Sequence, residues 1–236
     1  MMPQIYTAVL PGGAAALMDV RTGKGQWRHL NSTAARLWNH LASGVPFEQA
    51  LDDLTDYYSN QGGDGDAIRA DLSALAGHLH DAGLLTARTS PAPNAAIPTV
   101  RPPVPADTPL TGADRAAATL ALATALALLR CAPIRTSVAL ARALARIPRP
   151  PATPAQADVL LHAVRRAARL WPGRAACLEE SLALYLVALL RGYRVTWAIG
   201  ARTAPAAAHA WTEADAQVIG QDLTDRLWPY RPALRI

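Results

Sequence analysis

One of the two cysteines in this 236-residue chain lies where a nucleophile is expected. Pro-Gly at 172–173 ends one element and an apolar run spans 178–190, so Cys177 is predicted at the start of a buried helix. A helix N-terminus offers free N–H groups and partial positive charge, which stabilise a thiolate and can bind an oxyanion. Glu179 and Glu180 in the first turn oppose this, because negative charge disfavours a thiolate. The cysteine therefore needs a basic partner.

A histidine in a predicted strand supplies that partner. Residues 193–200 and 208–214 are predicted as two strands, with His209 in the second, and 217–220 as a third. A cysteine at a helix start beside a histidine on a strand is the arrangement of a nucleophile–base pair. The histidine takes the thiol proton and later protonates the leaving amine, while an Asp, Asn or Glu holds the imidazole in the required tautomer.

These segments resemble a known enzyme family. The sequence CLEESLAL at 177–184, Ile-Gly at 199–200 and AHAWTE at 208–213 resemble transglutaminase-like cysteine peptidases. Among these, they are most similar to the lasso peptide leader peptidases, the B proteins of lasso peptide biosynthesis. The resemblance implies a transglutaminase- or papain-like α+β domain over residues 113–236. It also implies that Cys177 and His209 are catalytic.

The same resemblance implies an aspartate shortly after the histidine strand. Asp222 is the best match, although the spacing is one residue longer than expected because Gln221 occupies the nearer position. Asp215 is the competitor, but it falls in the predicted hairpin turn and should face solvent. Ser181, one helical turn from Cys177, is expected to be a small packing residue.

The remaining metal-binding and nucleophilic residue types predict no second site. Cys131 lies between alanine-rich helices and is expected to be a buried small hydrophobe. Two cysteines cannot form a disulfide framework or a four-cysteine zinc site, so we expect no metal and no cofactor. His78 and His80 point in different directions on a helix and are expected at the surface.

The N-terminal 88 residues predict a small binding module. Three short strands are followed by a change to helical periodicity at Asn31 or Ser32, which can cap the first helix. Pro46 opens a second helix, and a third ends near Gly83. The predicted strands cover 5–10, 15–20 and 26–30, and the apolar helix positions fall within 34–41, 47–58 and 68–79. Three strands and three helices indicate a winged-helix-like domain.

This order of elements resembles the PqqD-like recognition element of ribosomal peptide maturation systems. In that family an extended leader peptide adds to the edge of the third strand and packs against the third helix, a mode called strand addition. The leucines of the third helix are also needed for the domain's own core. Carried over to this sequence, the leader-binding residues are Trp27, Arg28, Leu30, Ile68, Leu72 and Leu75.

Charge and proline content divide the chain. Residues 1–88 carry a net charge of −3 and residues 89–236 a net charge of +8, and seven of the 19 prolines lie between 91 and 109. We therefore predict a semi-rigid proline-rich linker at 89–112. Opposite charges suggest that the two domains attract, with the basic run at 165–169 as a candidate contact for the acidic domain. The single lysine, Lys24, is attributed to codon bias and not to a site.

The function predicted from the sequence is leader removal. The expected partners are a precursor peptide and, by resemblance, an asparagine-synthetase-like lasso cyclase that uses the freed core amine. Three alternatives stay open: a Cys-His-Asp acyltransferase, a non-catalytic leader-binding scaffold, and a nucleic-acid-binding protein. Scattered positive charge with few aromatics argues against the last. No signal peptide is visible and the longest apolar stretch, 116–129, is short for a bilayer span, so a reducing cytoplasm is expected.

Overall fold

The N-terminal domain has the predicted three strands and three helices, plus one short strand. The computed structural model describes residues 2–90, 92–93, 99–100, 109–221 and 230–236. Asn31 caps the first helix by accepting a hydrogen bond from the Ala34 N–H, and Asp64 caps the third. The elements are β1 (Ile5–Val9), β2 (Ala15–Asp19), β3 (Gln26–Leu30), α1 (Ser32–Ala42), α2 (Phe47–Ser59), α3 (Gly65–Asp81) and β4 (Thr89–Ser90).

The N-terminal sheet has the order β3-β2-β1-β4. The β1–β2 and β2–β3 pairs are antiparallel, whereas β4 pairs parallel with β1 through Ile5 and Thr89. The first residues of the predicted linker therefore belong to the N-terminal sheet. Since β3 ends the order, one of its edges has no strand partner among the described residues.

The C-terminal domain packs four helices against a second sheet. Helix α7 lies at its centre and is buried along most of its length. The five-stranded sheet has the order β5-β8-β7-β6-β9. Its edge strands, β5 and β9, were not predicted from the sequence. The elements are β5 (Thr99–Val100), α4 (Gly112–Cys131), α5 (Ile134–Leu144), α6 (Pro154–Ala168), α7 (Cys177–Leu190), β6 (Thr196–Arg202), β7 (Ala207–Ala214), β8 (Gln217–Val218) and β9 (Arg231–Arg235).

The two domains share one hydrophobic core. Side chains alternate along a strand, so β1 and β2 each present two faces. Ile5 and Leu17 pack with the N-terminal helices, whereas Tyr6 and Met18 belong to the same buried cluster as the centre of the C-terminal domain. The guanidinium of Arg142 also lies 5.1 Å from the centre of the Tyr6 ring. The domains are therefore packed together, not held apart by the linker.

The predicted electrostatic contact between the domains is wrong in its detail. An ion pair between the described parts of the two domains joins Lys24 of the acidic domain to Glu179 of the basic one, the reverse of the net charges. Arg165, from the basic run, pairs with Glu180 of its own domain. Apolar burial, which is far less sensitive to salt than exposed ion pairs, accounts for the docking.

Helix α4 is the one described helix that is long and apolar enough to cross a membrane by length and composition. One of its faces nevertheless packs in the protein core against α6 and α7. A capping box between Thr111 and Asp114 closes its N-terminus, and Asp114 pairs with Arg191. These are features of a core helix.

Candidate active site

Cys177 is the first residue of α7. The preceding residue, Ala176, has an extended backbone, and its N–H donates to the Glu179 carboxylate at 3.1 Å. This contact caps the helix end and leaves Cys177 exposed there. The local sequence explains the position, because the Pro-Gly turn at 172–173 precedes a run of strong helix formers.

His209 lies on β7 beside this helix end, where it lines the same cavity as Cys177. Desolvation raises the pKa of Cys177, but the interaction with His209 and the N–H groups of Ala210 and Leu178 outweigh it, so the pKa falls below its ordinary value. A lowered pKa increases the fraction of nucleophilic thiolate near neutral pH. The structure thus brings together the two residues that the sequence paired.

A cavity of about 210 Å³ opens beside this pair. Helices α6 and α7 form one side, and β7 with the segment after β8 forms the other. The lining residues are Leu161, Arg165, Cys177, Glu180, Ser181, Leu184, His209, Ala210, Trp211, Thr212, Ile219, Gly220 and Gln221. The cavity gives a substrate carbonyl access to the thiol.

Both glutamates of the first helical turn are paired with cations. Lys24 contacts the Glu179 carboxylate at 3.4 Å, and Arg165 donates two hydrogen bonds to Glu180 at 2.8 and 3.0 Å. The same guanidinium donates to the Gly220 carbonyl at 3.0 Å. The negative charge that the sequence analysis placed against the thiolate is therefore compensated. Neither cation was assigned to the site from the sequence.

The aromatic side chains around His209 form a second layer. The His209 ring stacks on Trp211 with 6.2 Å between centroids and lies 5.1 Å from Tyr230. The Trp211 indole N–H donates to the Glu213 carboxylate at 2.6 Å, and Glu213 pairs with Arg235 of β9. His209, Trp211 and Glu213 alternate along β7, so they share a face. The sequence did not assign Tyr230 and Arg235 to this site, because both lie far from His209 along the chain.

Gly200 sits opposite His209 in the β6–β7 register. A Cβ at this position would lie 2.2 Å from the Arg231 carbonyl oxygen and 2.8 Å from the Trp211 ring. The strand pair β6–β9 is also irregular between Ile199 and Gly200. Gly200 is thus required by the close approach of β9 and of the Trp211 ring that supports His209.

The third member of the predicted triad stays a prediction. Asp222 lies outside the described residues. Asp215 is exposed and occupies the β7–β8 turn with a φ of 49°, as expected for the competitor. Gln221, in the position one residue nearer, is buried and lines the cavity.

The other singled-out residues have structural or surface positions. Ser181 is buried, accepts a hydrogen bond from the Trp197 indole at 3.0 Å and donates to the Leu178 carbonyl, as expected for a packing residue. Cys131 is exposed at the end of α4, so the expectation that it is buried is wrong: the helix end leaves the core there. His78 and His80 are exposed as predicted.

A second concavity, which we call the peptide groove, lies between β3 and α3. Its volume is about 770 Å³. Leu30, Ile68, Leu72 and Leu75 line it, and Leu72 also belongs to the domain core, as the sequence suggested. Four of the six predicted leader-binding residues therefore meet at one apolar surface beside the free edge of β3.

The other two residues do not line the groove. Trp27 packs on the opposite face of the sheet, against the core shared with the C-terminal domain, because it alternates with its neighbours on β3. Its side chain is therefore unavailable to the groove, and only its backbone can take part in strand addition. Arg28 is exposed on the strand.

Within the described ranges, no group of three or more His, Cys, Asp or Glu side chains is placed to hold a metal ion.

Two protein-family models match the chain. The model of the transglutaminase-like superfamily matches residues 116–235, and the model of coenzyme PQQ synthesis protein D (PqqD) matches residues 15–85. No curated protein and no solved structure matches the chain.

Proposed function

This chain belongs to the transglutaminase-like superfamily, and from that premise and its PqqD-type domain we propose that it is a cysteine protease that removes the leader from a ribosomally made lasso precursor peptide. The observation that carries the proposal is that Cys177, at the start of α7, and His209, on β7, line one open cavity. Superfamily membership alone is compatible with peptidase or acyltransferase chemistry. The peptide groove on the same chain favours a peptide as the substrate.

The leader binds at the peptide groove in this proposal. An extended peptide adds its backbone to the free edge of β3, and apolar side chains enter the surface formed by Leu30, Ile68 and Leu75. Backbone pairing tolerates many sequences, whereas the apolar surface selects the positions of large side chains. The packed domain interface then fixes the leader relative to the catalytic domain.

Cleavage proceeds through a thioester. The Cys177 thiolate attacks the carbonyl at the leader–core junction, and backbone N–H groups at the start of α7 bind the oxyanion. Protonated His209, oriented by Asp222, gives its proton to the departing core amine as the C–N bond breaks. Water, deprotonated by His209, then attacks the thioester, which releases the leader carboxylate and restores the thiol.

The freed core amine is the group that a macrocyclisation step requires. We assign that step to an asparagine-synthetase-like lasso cyclase acting on the released core. Both cysteines are free thiols in the structure, which fits a reducing cytoplasm as the site of action.

The test is cleavage of a precursor peptide followed by mass spectrometry. The expected product is a leader ending in a free carboxylate, with cleavage lost in Cys177→Ala and retained in Cys131→Ala, the matched control at the other cysteine. A leader that ends in a new amide when an amine is supplied would indicate acyl transfer. Unchanged cleavage by Cys177→Ala would refute Cys177 as the nucleophile, whereas a wild-type chain that binds the precursor without cleaving it would be a leader-binding scaffold.

A further inference from the structure

The nucleophile helix receives a charged contact from the recognition domain. Lys24 lies in the loop between β2 and β3, yet its ammonium group contacts Glu179 in the first turn of α7, two residues after Cys177. The Glu179 side chain is only 8% exposed and caps the helix through the Ala176 N–H. The one lysine of the chain is therefore joined to the residue that defines the start of the nucleophile helix.

The loop that carries Lys24 is docked, not free. The Ile134 N–H donates to the Gly23 carbonyl at 2.8 Å, so the loop is attached to the start of α5. Gly25 has a φ of +89°, and a Cβ there would lie 3.5 Å from the Ile134 side chain. This packing holds Lys24 beside the start of α7.

Electrostatics gives this contact a consequence for the thiol. Glu179 places a negative charge at a helix N-terminus, where it stabilises the helix but opposes a thiolate in the same turn. A neighbouring ammonium group offsets that charge. Among the described residues, the other titratable or charged groups that line the cavity with Cys177 are His209 from β7, Glu180 from α7 and Arg165 from α6, and the last two are paired with each other.

We propose that Lys24 is a positioning residue of the active site, by which the recognition domain offsets the Glu179 charge and keeps the Cys177 thiolate available. The proposal rests on the proposed function for its biological meaning, but it concerns a property of the thiol that needs no substrate. If Lys24 had a purely structural role, its removal would leave the reactivity of the Cys177 thiol unchanged. The effect on the free energy of unfolding would also be small, since Lys24 is 60% exposed and such a pair contributes little to stability.

The measurement is the pH dependence of iodoacetamide alkylation in the full chain. A Cys131→Ser background leaves Cys177 as the only thiol. We expect Lys24→Met to raise the apparent pKa of Cys177 by about half a unit, which lowers the alkylation rate about threefold below that pKa. Lys24→Arg keeps the charge and should retain the wild-type profile. The melting temperature should change by less than about 4 °C in both.

Two controls make the outcome decisive. Arg36→Met removes one positive charge from the same domain at a residue that contacts Tyr57, and should leave the profile unchanged. Glu179→Gln keeps an acceptor for the Ala176 N–H but removes the charge, so Lys24→Met should shift the pKa less than half as much in that background. An unaltered profile in Lys24→Met, or an equal shift with and without Glu179, would overturn the proposal.

This experiment also separates the two hypotheses. Loss of leader cleavage in Cys177→Ala tests the protease, whereas the alkylation profile tests Lys24 even if no leader is cleaved. As the chain has one lysine, an amine-acetylating reagent gives an independent route. Acetylation of the wild-type chain should raise the apparent pKa of Cys177 as Lys24→Met does. Lys24→Arg treated in the same way is acetylated only at the N-terminal amine and shows the effect of that modification alone.

Discussion

We expect the substitution of glycine by alanine to have opposite effects on stability at Gly200 and at Gly77. At Gly200 a Cβ would lie 2.2 Å from the Arg231 carbonyl oxygen, so β9 would have to move by about 1 Å to reach an ordinary contact. At Gly77, an exposed position inside α3, nothing lies within 4 Å of an added Cβ. Gly200→Ala is therefore an overpacking change, and Gly77→Ala adds only helix propensity.

The magnitudes follow from these contacts. Moving β9 costs about 1–3 kcal/mol for the steric conflict and about 1 kcal/mol for each strand hydrogen bond that lengthens. We expect Gly200→Ala to lower the free energy of unfolding by about 2–4 kcal/mol and the melting temperature by about 5–12 °C. Gly77→Ala should instead raise the free energy of unfolding by about 0.5–1 kcal/mol.

The assay is urea and thermal unfolding of both variants beside wild type, followed by leader cleavage at a temperature where Gly200→Ala stays folded. Because the Trp211 ring lies 2.8 Å from the added Cβ, the variant should also displace the ring that stacks on His209. We therefore expect cleavage to fall even in fully folded Gly200→Ala. Stability at or above wild type in this variant would refute the close approach of β9.

The remaining predictions concern the site residues. Because interaction with His209 lowers the pKa of Cys177, His209→Ala should raise that pKa and slow leader cleavage at least about 100-fold, as measured by alkylation and cleavage across pH. The pKa of Cys177 is lower in the folded chain than in the unfolded chain, so ionisation of its thiol increases the free energy of unfolding at pH values above the ordinary pKa. This increase is lost as the pH falls through the pKa of the folded chain, which urea unfolding at a series of pH values measures. Leu75→Asp should weaken leader binding by about 10–100-fold in a fluorescence titration, whereas Leu120→Asp, at an exposed leucine on α4, should not. Glu213→Ala leaves a guanidinium of β9 without its carboxylate and should lower the free energy of unfolding by about 2–3 kcal/mol in a urea titration.

Local signals were sufficient for the helices, for most strands and for predicting the candidate nucleophile–base pair, but not for the strands β4, β5 and β9. Asn31, Pro46 and the Pro-Gly turn before Cys177 fix helix starts through cap and dihedral preferences that act within a few residues. The alternation around His209 likewise follows from strand geometry. These features depend on neighbours in the chain, so the sequence reports them directly.

Contacts between distant segments were decided by the tertiary structure. The sequence showed the apolar residues of β1 and β2. It did not show that Tyr6 and Met18 would pack with the C-terminal domain. The turn of Trp27 away from the groove follows from that same packing. Net charge was a poor guide because docking buries apolar side chains and leaves most charges in water.

The sequence by itself determined the two domain types and predicted the candidate nucleophile–base pair, since each is encoded in short spacings. Only the tertiary structure decided that a lone lysine meets Glu179, that β9 requires Gly200, and that the linker joins two packed domains. The physical reason is that such contacts depend on which faces meet in three dimensions. Burying apolar surface selects those faces over the whole chain, and no local pattern records the choice.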